Sequence, residues 1–384
     1  MGRDLAYRVT ARLVAAGLQA LGLVLVARSL GPATFGHVIV GVAVGSVLAS
    51  ALGFGIPMRG LRLALEPDAA ALANGMRVLA ALGGLTNGSI CAGLTYYLSG
   101  SSVSAAVLAA AMVGPDQVVG SLQAVLAGES RPRASANVMV LHRLVSVGCG
   151  GLIAAAGREF SFGYAAGALA FAVLLTAFVI TRGPGVSLRA ATRGAGSYVA
   201  SGIAGAAANL DVVLVSVIIG PHAAGVYGAA TRLVSPLAIA VSSLTAIIIP
   251  SAAARPSPYR RGMFRRAYLQ VGLFGVVLSA SSPLVAIAAV EVLGPEYVEA
   301  KPIIIGVAVG VALSGLSQVV QAELVTAGLP TRLAVAVIAG TTLGFGAMAL
   351  VLSTGGSALL WSSAVVVQGC VLSMAIWVRR RSDL

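Results

Sequence analysis

Leu30-Gly31-Pro32-Ala33-Thr34-Phe35-Gly36 lies between two apolar runs and returns as Ile219-Gly220-Pro221-His222-Ala223-Ala224-Gly225, again between apolar runs. Gly220 follows Gly31 by 189 positions (220 − 31), and Gly225 follows Gly36 by the same interval, close to half of the 384 residues. A duplicated six-helix unit leaves that spacing behind. Leu293-Gly294-Pro295-Glu296-Tyr297 is a third, looser copy. Gly reaches positive φ, and Pro fixes φ while lacking a donor N–H, so the pair punctuates the chain. Here it sits where a hydrophobic helix would leave a membrane and reverse. Two copies in matching hydropathic context predict a pseudo-symmetric, two-lobed membrane protein.

Composition leads to the same class. The chain is 58% hydrophobic and only 10% charged, with a mean hydropathy of +0.97. A soluble protein of this length cannot hide so much apolar surface, whereas lipid solvates it. The 48 glycines fit close helix–helix packing in a bilayer. Cys91, Cys149 and Cys370 are scattered through apolar runs, which is neither a disulfide framework nor a metal cluster. His37, His142 and His222 form no ligand spacing either. No cofactor motif stands in a fitting context: Gly-Ala-Gly-Ser at 194–197 lacks the following Lys and the preceding strand of a phosphate loop.

The apolar segments are about 20 residues each, enough to cross ~30 Å of hydrocarbon. A short basic start, Met1 to Arg12, leads into a first helix ending near Val26, read as retained rather than as a cleaved signal. Ala6 stands where a myristoylation motif needs Ser or Thr. Further spans are expected at 36–58, 78–98, 103–127, 137–157 and 161–181, then at 198–219, 225–250, 267–290, 302–327, 331–353 and 357–378. The expected fold class is therefore all-α and polytopic, with about twelve transmembrane helices in two six-helix lobes. Pro115 is expected to kink its helix. Residues 61–76 are less apolar and read as an amphipathic segment along the membrane surface. The Gly/Pro-rich loop 182–197 divides the chain into lobes 1–190 and 191–384, parallel repeats because each carries an even number of spans.

The net charge of +13 is not spread evenly. Alternate connections hold Arg59, Arg62 and Arg77; Arg131 and Arg133; Arg182, Arg189 and Arg193; Arg255 to Arg266; Arg332; and Arg379 to Arg381. The connections between them are poor in Arg and include an acidic stretch, Glu291 to Glu299. The positive-inside rule puts the first set and both termini in the cytoplasm of a multi-pass cytoplasmic-membrane protein. Arg255 to Arg266, with Tyr259 and Phe264 interleaved, is read as a loop that fixes topology and touches anionic headgroups, not as a nucleic-acid patch.

Ionisable residues inside spans cost on the order of 3 kcal/mol each at the bilayer centre, so each needs a partner, a wet cavity or a route to the interface. Arg8, Arg12 and Gln19 fall on one face of the first helix, which is either a water-facing stripe or a pair of arginines snorkelling to headgroups. Asp211 reads as the deepest acid, ~13 Å of helix before Gly220, and Arg232 lies ~10 Å beyond Gly225 on the next helix. Either the two form a structural pair, or Asp211 is a proton or Na⁺ site and Arg232 an anion contact. Arg143, about two turns into its helix, is a cavity residue or a snorkeller. Glu323, with Gln318 and Gln321, is expected to be surface-exposed near a helix end, and Glu129, Asp68 and Glu159 to be solvated in loops.

Arg28-Ser-Leu-Gly-Pro-Ala-Thr-Phe-Gly36 resembles the motif after the first helix of polysaccharide and oligosaccharide flippases, which include O-antigen flippases. These belong to the multidrug/oligosaccharidyl-lipid/polysaccharide exporter superfamily. Asn209-Leu-Asp211, followed by Ile219 to Leu233, is similar to that family's seventh and eighth helices, and Leu293 to Ala300 to its ninth-to-tenth connection. The resemblance implies twelve helices in two lobes, no enzymatic activity, and an isoprenoid-diphosphate-linked oligosaccharide as substrate, turned to the outer leaflet for cell-surface polysaccharide biosynthesis. A diphosphate-sugar headgroup needs a polar cavity with cations, so Arg12, Gln19, Arg143 and Arg232 are the expected headgroup contacts. Asp211 is the ion-coupling candidate, for a proton or another monovalent cation. Membrane lipids and glycan polymerase or assembly proteins are the expected partners, and nucleic acid is not. Two alternatives stand beside this reading. A drug/cation antiporter of the same superfamily would favour an acidic cavity, whereas the intramembrane charges here lean basic. A membrane glycan ligase or transferase would need a large extramembrane loop or paired acids.

Overall fold

The computed structural model describes residues 2–60, 63, 69–129, 131–180, 187–193, 195–253, 257–327 and 330–380. The three repeated Gly-Pro turns at Gly31, Gly220 and Gly294 use one device. Gly31, Gly220 and Gly294 adopt φ of 71°, 125° and 107°, a region that residues with a Cβ rarely enter. The proline that follows each glycine begins the next helical segment, where its fixed φ fits and its missing N–H is not needed. Gly31 is the only non-helical residue inside α1 (Gly2–Leu52), so the first two spans are joined by one kinked residue instead of a loop.

After α1 come α2 (Ile56–Arg59), α3 (Ala69–Leu98), α4 (Val103–Gly128), α5 (Pro132–Ala155), α6 (Phe160–Ile180), α7 (Leu188–Thr192) and α8 (Gly196–Ala206). A 3₁₀ turn, Ala207–Leu210, leads into α9 (Asp211–Ile218), followed by α10 (Pro221–Ala253), α11 (Ser257–Leu293), α12 (Ala300–Thr326), α13 (Pro330–Gly355) and α14 (Ser363–Arg380). Eight stretches are long and apolar enough to cross a membrane, and two of them, at 43 and 46 residues, have the length for two crossings. With α8–α9 and the 33-residue α10, the crossing-length segments among the described residues come to twelve, as the hydropathy pattern predicted.

The chain packs as two compact units, Met1–Val213 and Leu214–Leu384, divided within α9. In the first, α1 touches α3, α4, α5, α6 and α8; in the second, α12 is the hub, packed on α10, α11, α13 and α14. Small residues set the approach. A Cβ on Gly114 of α4 would stand 2.8 Å from the Gly84 carbonyl oxygen of α3, and one on Gly340 of α13 would stand 2.7 Å from the Val371 Cα of α14. Neighbouring backbones therefore touch directly, as lipid-embedded helices do. On the outside the pattern inverts: Leu85, Leu152, Leu174 and Leu284 leave 70% or more of their surface uncovered. Water would penalise such a surface, whereas acyl chains are as apolar as leucine.

Three expectations need correction. The segment 61–76 is not an amphipathic strip over its described part: α3 already begins at Ala69, and Leu72, Ala73 and Met76 are buried with Ile56, Leu63 and Val125. Residues 61–62 and 64–68, including Arg62 and Asp68, lie outside the described residues. The Arg-rich stretch is no loop from Ser257 onward, because α11 starts there and carries Arg260 to Arg266 on its first turns. The span expected at 198–219 is interrupted, with its α-helical ladder tightening to 3₁₀ just before Asp211.

Candidate functional site

The sequence gives α4 a polar pair at its midpoint, Asp116-Gln117, directly after Pro115. In the first unit these residues belong to a polar group that draws on four other helices, α1, α3, α5 and α6. Asn87 on α3 donates from Nδ2 to the Gly45 carbonyl on α1 at 2.9 Å and to Gln117 Oε1 at 2.7 Å. Cys91 Sγ stands 3.5 Å from Asn87 Oδ1, one turn away on the same helix. Asn87 is wholly buried, so these bonds tie α1, α3 and α4 together where no water competes.

Beside them lies a charged group. Asp116 Oδ2 accepts from Arg143 Nη2 of α5 at 2.8 Å, and its Oδ1 stands 2.7 Å from Nη1. The fork of the guanidinium thus meets both oxygens of the carboxylate. Tyr164 of α6 brings its phenol to the same guanidinium. His142, adjacent to Arg143 and 1% exposed, has Nδ1 3.7 Å from Asp116 Oδ1 and lies tilted against Phe171, ring centroids 5.4 Å apart. Neither ring nitrogen of His142 has a hydrogen-bond partner among the described residues, and neither has Gln117 Nε2. Chemically, this is a mid-span carboxylate neutralised by a guanidinium, next to an imidazole with no hydrogen-bond partner among the described residues.

The expected site residues fall as follows. Arg143 is 12% exposed and is held by Asp116. Arg12 is exposed and Gln19 half-buried on α1 before the kink, while the Arg8 side chain is not described. Asp211 opens α9 at the helix interruption, half-buried, with Oδ1 accepting from Val212 N at 2.7 Å. Arg232 is half-buried on α10. Asp211 and Arg232 belong to different units.

Sequence reasoning missed Asp116, which stands 13 residues into a 26-residue helix. The signal was present as the one acid in the expected span 103–127. Two readings of acids fail. Glu323, expected at the surface, is 12% exposed: Arg379 of α14 reaches it at 2.8 Å, and the Tyr268 hydroxyl of α11 donates to it at 2.9 Å. Glu129, expected to be solvated, pairs with Arg77 of α3. Glu159 is exposed, as expected.

No family model matches the chain, and no curated protein does. Solved structures do match. A MOP superfamily transporter from Pyrococcus furiosus aligns over 99% of this chain and 95% of its own, at 16% identity and a TM-score of 0.64. The MATE multidrug transporter DinF-BH aligns over 98% and 94%, at 12% identity and 0.69. A mutant of the Vibrio cholerae MATE transporter VcmN aligns over 99% and 96%, at 12% identity and 0.63. With the helix count above, this end-to-end likeness gives the chain the fold of MATE transporters of the MOP superfamily, about twelve spanning helices in two lobes.

Proposed function

We propose that the chain is a membrane transporter, not an enzyme, that turns an isoprenoid-diphosphate-linked oligosaccharide from the inner to the outer leaflet by alternating access. The observation that carries the transport reading is the polar centre of the first unit. A chain this apolar keeps Asp116, Arg143, His142, Asn87 and Gln117 together in mid-span, where each is costly unless it serves a route or a pair. Two features favour a glycolipid cargo: the flippase-like motifs around Gly31 and Gly220, and the basic balance of Arg12, Arg143 and Arg232 against Asp116 and Asp211. In this reading Arg12, Gln19, Arg143 and Arg232 serve the anionic headgroup, and Asp211, at its helix break, takes the coupling cation or proton. Lobes 1–190 and 191–384 are parallel repeats, both termini lie in the cytoplasm, and glycan polymerase or assembly proteins use the exported product.

A second reading, a drug/cation antiporter, is favoured by the half-buried acid Asp116 beside a histidine and by the likeness to a multidrug transporter. One experiment separates the two. In cells whose surface glycan depends on this chain, Arg12→Ala should cut surface glycan at least tenfold at unchanged protein level, with glycolipid accumulating on the inner leaflet. Unchanged glycan together with lost efflux of cationic dyes would replace the flippase with the antiporter.

A further inference from the structure

At one end of the second unit, the first turns of α11, the last turns of α12 and the end of α14 border an open groove of about 950 Å³. Arg261, Arg265, Arg379 and Arg380 line its outer part, closest to the helix ends. Deeper along the same helices the lining is apolar, with Leu269, Leu316, Val320 and Leu372. One acid, Glu323, sits among the arginines and is already used: Arg379 reaches it at 2.8 Å and 3.2 Å, and Tyr268 donates to it at 2.9 Å. Arg379 also lies 5.8 Å over the Tyr268 ring. Arg261, Arg265 and Arg380 make no hydrogen bond or ion pair among the described residues. Four arginines less one glutamate leave the groove at +3 (4 − 1).

From this we infer that the groove is a binding site for an anionic phospholipid, its phosphate held by Arg261, Arg265 and Arg380 and one acyl chain lying on the apolar floor. A topology signal alone accounts for arginines at helix ends. It does not account for three guanidiniums gathered around one open groove with an apolar floor, where like charges repel unless an anion joins them. The Glu323–Arg379–Tyr268 bridge gives the site a fixed wall by tying α12 to α14 and α11. The source of the phosphate follows from the lining. A free phosphate would meet the guanidiniums but leave the floor wet, whereas a lipid phosphodiester satisfies both. The inference does not depend on what the chain transports.

The test uses the purified full chain and native mass spectrometry in the presence of equimolar phosphatidylglycerol and phosphatidylcholine. Wild type should keep one phosphatidylglycerol with at least fivefold preference. Arg261→Ala/Arg265→Ala/Arg380→Ala should bring the preference below twofold. Removing equal charge from the first unit, at the exposed Arg131, Arg189 and Arg193, should leave it at fivefold. Should the triple variant fail to fold, Arg265→Ala alone should at least halve the preference. An unchanged preference in either variant, or equal loss in the first-unit control, overturns the site. Displacement of the lipid by 10 mM inorganic phosphate overturns the lipid assignment and leaves a free-anion site.

Discussion

Removing one member of the Asp116–Arg143 pair should cost far more than removing both. Contacts of 2.7 Å and 2.8 Å put the charge centres ~4 Å apart, and at an effective dielectric constant of ~20 that attraction is ~4 kcal/mol. Breaking a buried pair from one side typically costs about 3–5 kcal/mol, since the remaining charge stays behind without compensation. Asp116 keeps 31% of its side chain exposed, which favours the lower end. Asp116→Asn and Arg143→Met should therefore each destabilise the fold by ~3 kcal/mol, and the double variant by only ~2 kcal/mol, a coupling of ~4 kcal/mol. Equilibrium unfolding of the full chain in mixed micelles, followed by far-UV circular dichroism, measures all three. If the single effects add to within ~0.5 kcal/mol, the two side chains are energetically independent and α5 is not held to α4 by charge. Glycan export measured on the same variants separates stability from transport. A double variant that folds but does not export places the pair in the transport path, and one that exports normally makes it structural.

Three further outcomes are expected. Gly114→Leu should destabilise by ~1–3 kcal/mol, because its side chain meets the Gly84 carbonyl. Gly93→Leu, with nothing within 4 Å of its Cβ position, should be neutral, and equal melting of the two would refute the backbone contact. Single cysteines replacing Ser257 and Ser101, in a chain lacking Cys91, Cys149 and Cys370, should label from opposite sides of the membrane; labelling of both from outside refutes the proposed orientation. Arg232→Ala should abolish glycan export, and Asp211→Ala/Arg232→Ala should not restore it. Restoration would make Arg232 a structural partner, since losing both halves of a buried bridge is often tolerated.

The spans and turns were legible because their causes are local. Hydropathy over ~20 residues needs no knowledge of neighbours, and Gly31-Pro32 dictates its own backbone. The polar centre was not, because its meaning is long-range. Asp116 alone is one acid in an apolar window, and only folding brings it to Arg143, 27 residues on. Glu323 misled for the same reason: its place near a helix end reads as exposure until α14 returns with Arg379, 56 residues later. The interruption before Asp211 also escaped, since Ala207-Ala208-Asn209-Leu210 contains neither Gly nor Pro to announce it.

The outward leucines have a consequence for how much the sequence can vary. Exchanging Leu85, Leu152, Leu174 or Leu284 for Ile, Val or Phe leaves an acyl chain as content as before, so mutation there runs nearly unopposed by selection on stability. A molecule with such a surface forgets its spelling while keeping its shape. Chains that share 12–16% of their residues with this one still overlay it across 98–99% of its length. Shape in such a fold rests on its hinges and its buried contacts more than on which apolar residue faces outward.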